Sequence, residues 1–130
     1  MRLINFTEEL RDRAEDFHRL HPMLQAVFFD AGFYLYTNYR KAFLITSMFR
    51  DTGGVHQYGR GLDVDVCDKS VYAGGLLPEE ALKIRRYINS LWGYDETRPS
   101  MYVAIYGDLD PKGKHWNHIH FQVHDRTVAI

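Results

Sequence analysis

The sequence has only one cysteine, Cys67, so no disulfide can form within the chain. A lone thiol fits a protein made in a reducing cytoplasm. An excess of positive charge is also missing, because 16 Lys and Arg residues face 17 Asp and Glu residues. We therefore expect no nucleic-acid partner. No apolar run approaches the roughly 18 residues of a membrane span, and the N-terminal stretch lacks the apolar segment of a signal peptide. We expect neither membrane insertion nor signal-directed secretion.

The composition is that of a packed globular domain, with 45% hydrophobic and 15% aromatic residues in a chain of 130. We expect one domain over residues 1–130. Helical spacing of apolar residues or helix-start signals predict helices at 7–20, 22–39 (with Gly32 as a candidate break) and 78–93. Alternating or β-branched stretches predict strands at 42–49, 62–66, 101–106 and 118–123. Helices first, then strands with one helix between them, indicate an α+β fold with a mostly antiparallel sheet.

Histidines are concentrated near the C-terminus, where residues 115–124 read HWNHIHFQVH and hold four of the chain's seven. Apolar and polar residues alternate from 118 to 124, which predicts a strand with one face in the core. Histidine is not a favoured strand residue, so a polar strand face made of imidazoles is unusual. The polar positions are His118, His120, Gln122 and His124.

A second chemistry-bearing stretch is 45–67, ITSMFRDTGGVHQYGRGLDVDVC. His56 and Asp63 offer one imidazole and one carboxylate, two of the three protein ligands of a catalytic zinc. Gly59 and Gly61 permit a tight backbone between them, and the histidine-rich strand is the obvious source of the third ligand. Cys67 is an alternative ligand, although a small buried hydrophobic residue is the simpler interpretation.

Together these residues resemble the M15-type zinc peptidases of bacterial cell walls, which include D-alanyl-D-alanine carboxypeptidases, dipeptidases and phage endolysins. Murein endopeptidases and the Hedgehog signalling domain have a similar metal site. The matching motifs are Ser47-x-x-Arg50, His56-x-x-Gly59-x-Gly61-x-Asp63 and His118-x-His120, with His115 completing His-x-x-His-x-His. The match covers residues 45–67 and 115–121, about a quarter of the chain. The sequence departs from the family at Gly54, at Gly61 and at Asn117, where other branches carry a general-base Glu.

The resemblance implies a Hedgehog/D-Ala-D-Ala peptidase-like fold and one Zn²⁺ per chain. Its ligands would be His56, Asp63 and His120. The expected catalytic residues are His118 as general base, Arg50 as oxyanion or carboxylate binder, and His115. The expected substrate-binding residues are Ser47, Tyr58, Arg60 and Trp116. Alternatives stay open: His115 as a solvated loop residue, Arg50 in a salt bridge, Asp65 supporting a ligand or merely solvated, and the aromatic residues as packing. We interpret His18 and His21 as structural and His124 as a surface residue.

The function that the resemblance implies is a zinc metallopeptidase, a carboxypeptidase or endopeptidase of the cell wall. Its substrate would be a peptidoglycan stem peptide, cleaved next to D-Ala. A small chain without a signal peptide suggests a phage or prophage endolysin that reaches the wall through a holin-type pore. Two alternatives remain: a zinc-binding domain without hydrolytic activity, as in Hedgehog, and a virion structural component.

Overall fold

The computed structural model describes five segments of the chain: residues 4–6, 14–48, 58–67, 75–109 and 116–130. Within them lie two α-helices, α1 (Pro22–Tyr39) and α2 (Pro78–Leu91). The strands are β1 (Ile4–Phe6), β2 (Phe43–Ser47), β3 (Gly61–Asp65), β4 (Trp92–Gly93), β5 (Ala104–Ile105), β6 (His118–Gln122) and β7 (Val128–Ala129). Short 3₁₀ helices occupy Ala14–Arg19 and Gly107–Leu109.

Five of these strands form one sheet in the order β1-β2-β3-β6-β5. Only the β1–β2 pair is parallel, and the other three pairs are antiparallel. Strands β4 and β7 form a separate antiparallel pair. The predicted α+β class with a mostly antiparallel sheet is therefore confirmed. In the part of the chain that the structure describes, no helix combines the length and apolar character needed to cross a bilayer.

Helix α1 begins where the sequence predicts, because Pro22 suits the first helical turn. The residue before it, His21, caps the helix: its ring Nδ1 accepts a hydrogen bond from the Met23 N–H at 3.1 Å. The apolar face predicted from the spacing is fully buried, at Leu24, Val27, Phe28, Ala31 and Leu35. The predicted break at Gly32 is wrong, since α1 continues through this residue, which is itself buried.

The core lies between the helices and one face of the sheet. Phe28 of α1 packs against Phe43 of β2 and Phe121 of β6, with ring centroids 5.1 and 5.8 Å away. Phe43 and Phe121 also meet edge to face, at 5.9 Å. Because successive side chains of a strand point to opposite faces, the burial of Phe121 in this cluster places His120 and Gln122 on the other face.

Helix α2 closes the outer edge of the sheet with side chains that replace a neighbouring strand. The amide of Asn89 bonds both main-chain groups of Ala104 in β5: it accepts from the N–H and donates to the C=O, each at 2.9 Å. Arg85 donates to the carbonyl oxygen of Tyr106 at 2.8 Å. An unpaired edge invites pairing with another chain, so these contacts protect β5.

We expect Asn89→Ala to lower the free energy of unfolding by about 2–4 kcal/mol, because each buried group left without a partner costs about 1–3 kcal/mol. Ala104 itself is fully buried, although Asn89 is half-buried and lines a groove, so water that enters this groove would make the loss smaller. Urea unfolding measures the effect. Asn38→Ala is the matched control, because Asn38 is exposed and bonds the Tyr34 carbonyl of its own helix. Equal unfolding midpoints for the two variants would show that the edge contacts of Asn89 contribute nothing.

The predicted strand at 101–106 is shorter than expected, since only Ala104–Ile105 is strand. The chain before it is held in turns by Asp95, which accepts bonds from the Thr97 hydroxyl and N–H at 2.7 and 3.0 Å and from Arg98 at 3.0 Å. These bonds, the Thr97 hydroxyl first, lower the pKa of Asp95 to about 2. Of the predicted helix at 7–20, residues 7–13 lie outside the described segments and Ala14–Arg19 is 3₁₀ helix.

Candidate metal and catalytic site

Asp63 and His120 lie directly opposite each other on two neighbouring strands, β3 at the centre of the sheet and β6 beside it. The His120 Nδ1 and the Asp63 Oδ1 are 2.8 Å apart. Both side chains are buried, with 8% of His120 and 9% of Asp63 exposed. Burial of a carboxylate is costly unless it meets a partner, and here each group meets the other. Two of the three predicted metal ligands are thus brought together on rigid backbone.

Gln122 lies next to His120 on the same face of β6. Its Oε1 is 3.2 Å from the His120 Nε2, and its Nε2 donates to the Tyr102 carbonyl oxygen at 2.9 Å. Both ring nitrogens of His120 are therefore in contact with oxygen atoms, one from Asp63 and one from Gln122. Because a neutral imidazole has one N–H, it can donate to only one of them.

This arrangement suits a cation. The 2.8 Å contact is a hydrogen bond when His120 Nδ1 carries the ring hydrogen, because a carboxylate is a stronger acceptor than the Gln122 amide oxygen, and a metal ion that displaces this hydrogen can bind the same two atoms. One imidazole and one carboxylate are also ligands that zinc accepts. Within the described segments no three His, Cys, Asp or Glu side chains converge on one point. The described segments therefore supply two of the three predicted zinc ligands. The third, His56, lies outside those segments.

His118 is two residues before His120 on β6, so both imidazoles are on the polar face. It is half-buried and lies opposite Asp65 of β3. Its Nδ1 is 2.7 Å from the side-chain oxygen of Asn117. An amide oxygen only accepts, so in the neutral ring this contact places the hydrogen on the His118 Nδ1 and the lone pair on Nε2. The Asn117 side chain thus contacts the ring of the histidine that follows it.

The segment before β3 is fixed by its main chain. Gly59 has a positive φ of 69°, which a residue with a side chain rarely adopts. Its carbonyl oxygen accepts from the His21 N–H at 2.9 Å, and that of Arg60 accepts from the Val123 N–H at 2.9 Å. The expected role of Gly59 in the tight backbone before Asp63 fits this geometry.

The predicted substrate-binding residues lie around this face in different settings. Ser47 is opposite Asp63 on β2, after a register shift that follows Ile45. The Arg60 guanidinium lies 5.4 Å from the ring centre of Tyr58, which is 65% exposed. These two side chains therefore contact each other beside the start of β3.

Trp116 precedes β6 and is half exposed. Its carbonyl oxygen accepts from the Tyr106 hydroxyl at 3.0 Å, and its ring lies over Gly107. A Cβ built at Gly107 would be 2.7 Å from the ring, so only glycine permits this approach. One part of the Trp116 ring therefore packs against Gly107, as the packing interpretation predicts. The rest of the ring is exposed to solvent.

The remaining predicted residues fall into two groups, those that the structure describes and those that it does not. His56, Arg50 and His115 lie outside the described segments. Cys67 is buried and its thiol contacts Asp65 at 3.8 Å. His124 is half-buried beside the Tyr94 ring, 6.0 Å between ring centres, and its Nδ1 accepts from the Arg126 N–H in the turn after β6. The structural interpretation of His21 fits its capping of α1.

An apolar groove of about 420 Å³ lies beside the β4–β7 pair, away from Asp63. Its lining includes Trp92, Met101, Tyr102 and Val128. Tyr102 also supplies the carbonyl oxygen that binds Gln122. The groove therefore adjoins the polar face of β6 and contains none of the residues that the sequence predicts for the site.

Sequence reasoning missed two contributors, Gln122 and the orienting role of Asn117. The signal for Gln122 was available, since it is two residues after a predicted ligand on an alternating strand and so shares its face. The signal for Asn117 was its place directly before His118. No known protein family, no curated protein and no solved structure matches the chain.

Proposed function

We propose that this chain is a zinc-dependent peptidase that hydrolyses an amide bond in peptidoglycan stem peptides, next to D-Ala. The observation that carries the proposal is the Asp63–His120 pair, two buried metal-ligand types 2.8 Å apart in the interior of the sheet. It is supported by His118 on the same face and by the order of the motifs along the sequence. Release through a holin-type pore would bring the enzyme to the wall.

Three residues would hold the metal: Asp63, His120 and, from the segment before β3, His56. Bound zinc supplies Lewis acidity, because it polarises the scissile carbonyl and makes hydroxide available near neutral pH. The interior position of β3 and β6 suits this role, since ligands on rigid strands keep their geometry better than ligands on loops.

His118 would act as the general base and then as the general acid. Its Nδ1–H is directed at Asn117, so its Nε2 lone pair is the atom that accepts a proton from the attacking water. The same nitrogen then gives the proton to the leaving amine. In this proposal the Asn117 amide fixes the ring and the imidazole does the chemistry that a Glu performs in other branches.

The remaining side chains would bind the substrate. Ser47 lies opposite Asp63 and offers a hydroxyl beside the metal ligands. Arg50 and His115 would stabilise the developing oxyanion, because fixed donors act where charge appears. Tyr58, Arg60 and the exposed side of Trp116 would contact the peptide.

Digestion of purified muropeptides tests the proposal. We expect the zinc-loaded protein to release D-Ala or to split a D-Ala cross-link, detected by mass spectrometry of the products. Dialysis against a chelator should abolish the reaction and added zinc should restore it. Loss of terminal D-Ala indicates a carboxypeptidase, and conversion of dimers to monomers indicates an endopeptidase. Zinc-loaded protein that cleaves no muropeptide would overturn the peptidase proposal.

The Asn117 position favours a second candidate, a zinc-binding domain without hydrolytic activity. An amide cannot take up a proton as the Glu of other branches does. This candidate predicts stoichiometric zinc and no cleavage of any muropeptide. Zinc analysis together with the digestion separates the two candidate functions, because only the peptidase both binds zinc and cleaves a muropeptide.

A further inference from the structure

We propose that two copies of this chain associate through one side of helix α1, which packs antiparallel against α1 of the second copy. The proposal concerns assembly and does not depend on the proposed zinc chemistry. It starts from the composition of α1, because only Asp30 carries a charge among its 18 residues. A helix that is apolar on all sides is usually buried on all sides.

Two sides of α1 are covered within the chain. One side packs on the sheet through Phe28, which contacts Phe43 and Phe121. A second side meets α2, where the rings of Tyr34 and Tyr87 stack with their centres 4.4 Å apart. The remaining side of the helix points away from both the sheet and α2.

That remaining side exposes aromatic rings. Phe29 and Phe33, one turn apart, are 39% and 49% exposed. Ala26 lies one turn before Phe29, and Tyr36 lies one turn after Phe33. These four residues form what we call the outer stripe of α1. Single exposed apolar side chains are ordinary, but a continuous apolar surface marks an interaction site.

An apolar groove of about 330 Å³ lies beside the outer stripe. Its lining includes Ile4 and Phe6 of β1 together with Phe17 and Phe29, whose rings meet edge to face at 5.7 Å. The same face of the molecule therefore offers a protruding ring, Phe33, and a groove that can receive one. Such a face is self-complementary, as a twofold interface requires, because there each patch meets its own copy.

Charges at the two ends of the outer stripe favour the antiparallel arrangement. With Phe33 of one copy beside Phe29 of the other, Arg40 after the end of α1 faces Pro22 at its start. The 3₁₀ helix before Pro22 carries the exposed Glu15, which lines the groove. Arg40 is also exposed, so Arg40 of each copy comes near Glu15 of the other. A parallel arrangement would instead place like charges together.

The area of the outer stripe sets the strength of this dimer. A phenylalanine offers about 150–250 Å² for burial, so the exposed parts of Phe29 and Phe33 amount to about 130–220 Å² per copy. Specific interfaces bury about 1,200–2,000 Å² in total, and transient ones bury less. Four rings, two filled grooves and the flanking residues therefore support a reversible dimer, with a dissociation constant of roughly micromolar size.

Sedimentation equilibrium over a range of protein concentrations tests the proposal. We expect the mass of the wild type to rise toward twice the 15.3 kDa of one chain. Phe33→Glu should raise the dissociation constant at least about 30-fold, as loss of a residue central to an interface does. The matched control is Asn38→Glu, which adds the same charge to an exposed residue of α1 outside the outer stripe. It should leave the dissociation constant unchanged.

Two results would overturn the proposal. One is a wild type that stays monomeric at every concentration, and the other is a Phe33→Glu protein that dimerises normally. Urea unfolding of dilute, monomeric samples shows whether another part of the same chain covers the outer stripe instead. We expect equal unfolding midpoints for the wild type and Phe33→Glu. A much lower midpoint for Phe33→Glu would show that Phe33 is covered within the chain, and would reject the second copy as its partner.

A charge exchange tests the antiparallel arrangement. Glu15→Arg and Arg40→Glu should each weaken the dimer, because each places like charges at both ends of the interface. The expected effect is about 2–5-fold for an exposed ion pair. The double variant should recover most of the lost affinity, since it restores opposite charges. A double variant that dimerises more weakly than both single variants would reject the antiparallel arrangement.

Discussion

His120→Asn should leave the protein nearly free of zinc, whereas the wild type should retain about one Zn²⁺ per chain after gel filtration. The variant removes one of three proposed ligands, so the loss should exceed the roughly 10–100-fold expected for a supporting residue. Asparagine is chosen over alanine because its amide can still donate to Asp63. Removing one partner of a buried ion pair lowers the free energy of unfolding by about 3–5 kcal/mol. An alanine variant could therefore lose zinc because it unfolds and not because it lacks a ligand.

Thermal unfolding measures zinc binding to the wild type and to His120→Asn in a second, independent way. A ligand that binds only the folded state stabilises it by about 4 kcal/mol when its free concentration is 1,000 times Kd. Added zinc should therefore raise the Tm of the wild type and have little effect on His120→Asn. The two proteins should unfold at similar temperatures after exhaustive chelation.

The control for this experiment is His18→Asn, the same chemical change at an exposed histidine of the 3₁₀ helix. It should keep full zinc content and the full zinc-dependent rise in Tm. A His120→Asn protein that retains stoichiometric zinc would show that the ligand assignment is wrong. X-ray absorption would then identify the ligands, and a sulfur atom among them would indicate Cys67.

The sequence predicts best those elements in which side-chain periodicity reflects burial. The spacing of Leu24, Val27 and Phe28 predicts α1 because that helix buries one continuous face. The alternation in β3 and β6 places Asp63 and His120 on one face for the same reason. These two strands are neighbours in the interior of the sheet, so the predicted faces coincide in the structure.

Other features depend on contacts between residues distant in sequence, which local patterns do not contain. Strand β1 is three residues long and exists because it pairs with β2. Strand β5 is only two residues long, although Gln122 still reaches the Tyr102 and Val103 carbonyl groups before it. Gly32 does not break α1, because tertiary packing outweighs the roughly 1 kcal/mol cost of a helical glycine.

In the candidate site, too, local sequence patterns predict some features, and contacts between distant residues determine the others. Motif order and strand alternation predict that Asp63, His118 and His120 share a face, and the structure places them there. The roles of Asn117 and Gln122 depend on which atom of an amide faces which nitrogen of a ring. For Gln122, the orientation of the amide is set by the Tyr102 carbonyl group, 20 residues away in sequence.

His118→Ala should lower kcat on a muropeptide substrate by about 10²–10⁴-fold, the usual effect of removing a general acid or base. Zinc content should not change, because His118 is two residues from the ligand and bonds Asn117. A residue that acts only on the reacting proton affects kcat more than KM. Steady-state kinetics with zinc analysis of the same samples measures all three quantities.

The matched control is His124→Ala, which removes a half-buried imidazole from the same chain segment beyond Gln122. Its ring bonds the Arg126 N–H in a turn, so activity should stay near that of the wild type at equal folded concentration.

Asn117→Leu extends the argument, because it removes the oxygen that orients His118 and keeps the imidazole. Its kcat should fall between those of the wild type and His118→Ala. If His118→Ala loses zinc together with activity, His118 is a ligand and its role must be exchanged with that of His120. If His118→Ala keeps full activity, the proton is moved by another group, and the Asn117–His118 contact has no part in catalysis.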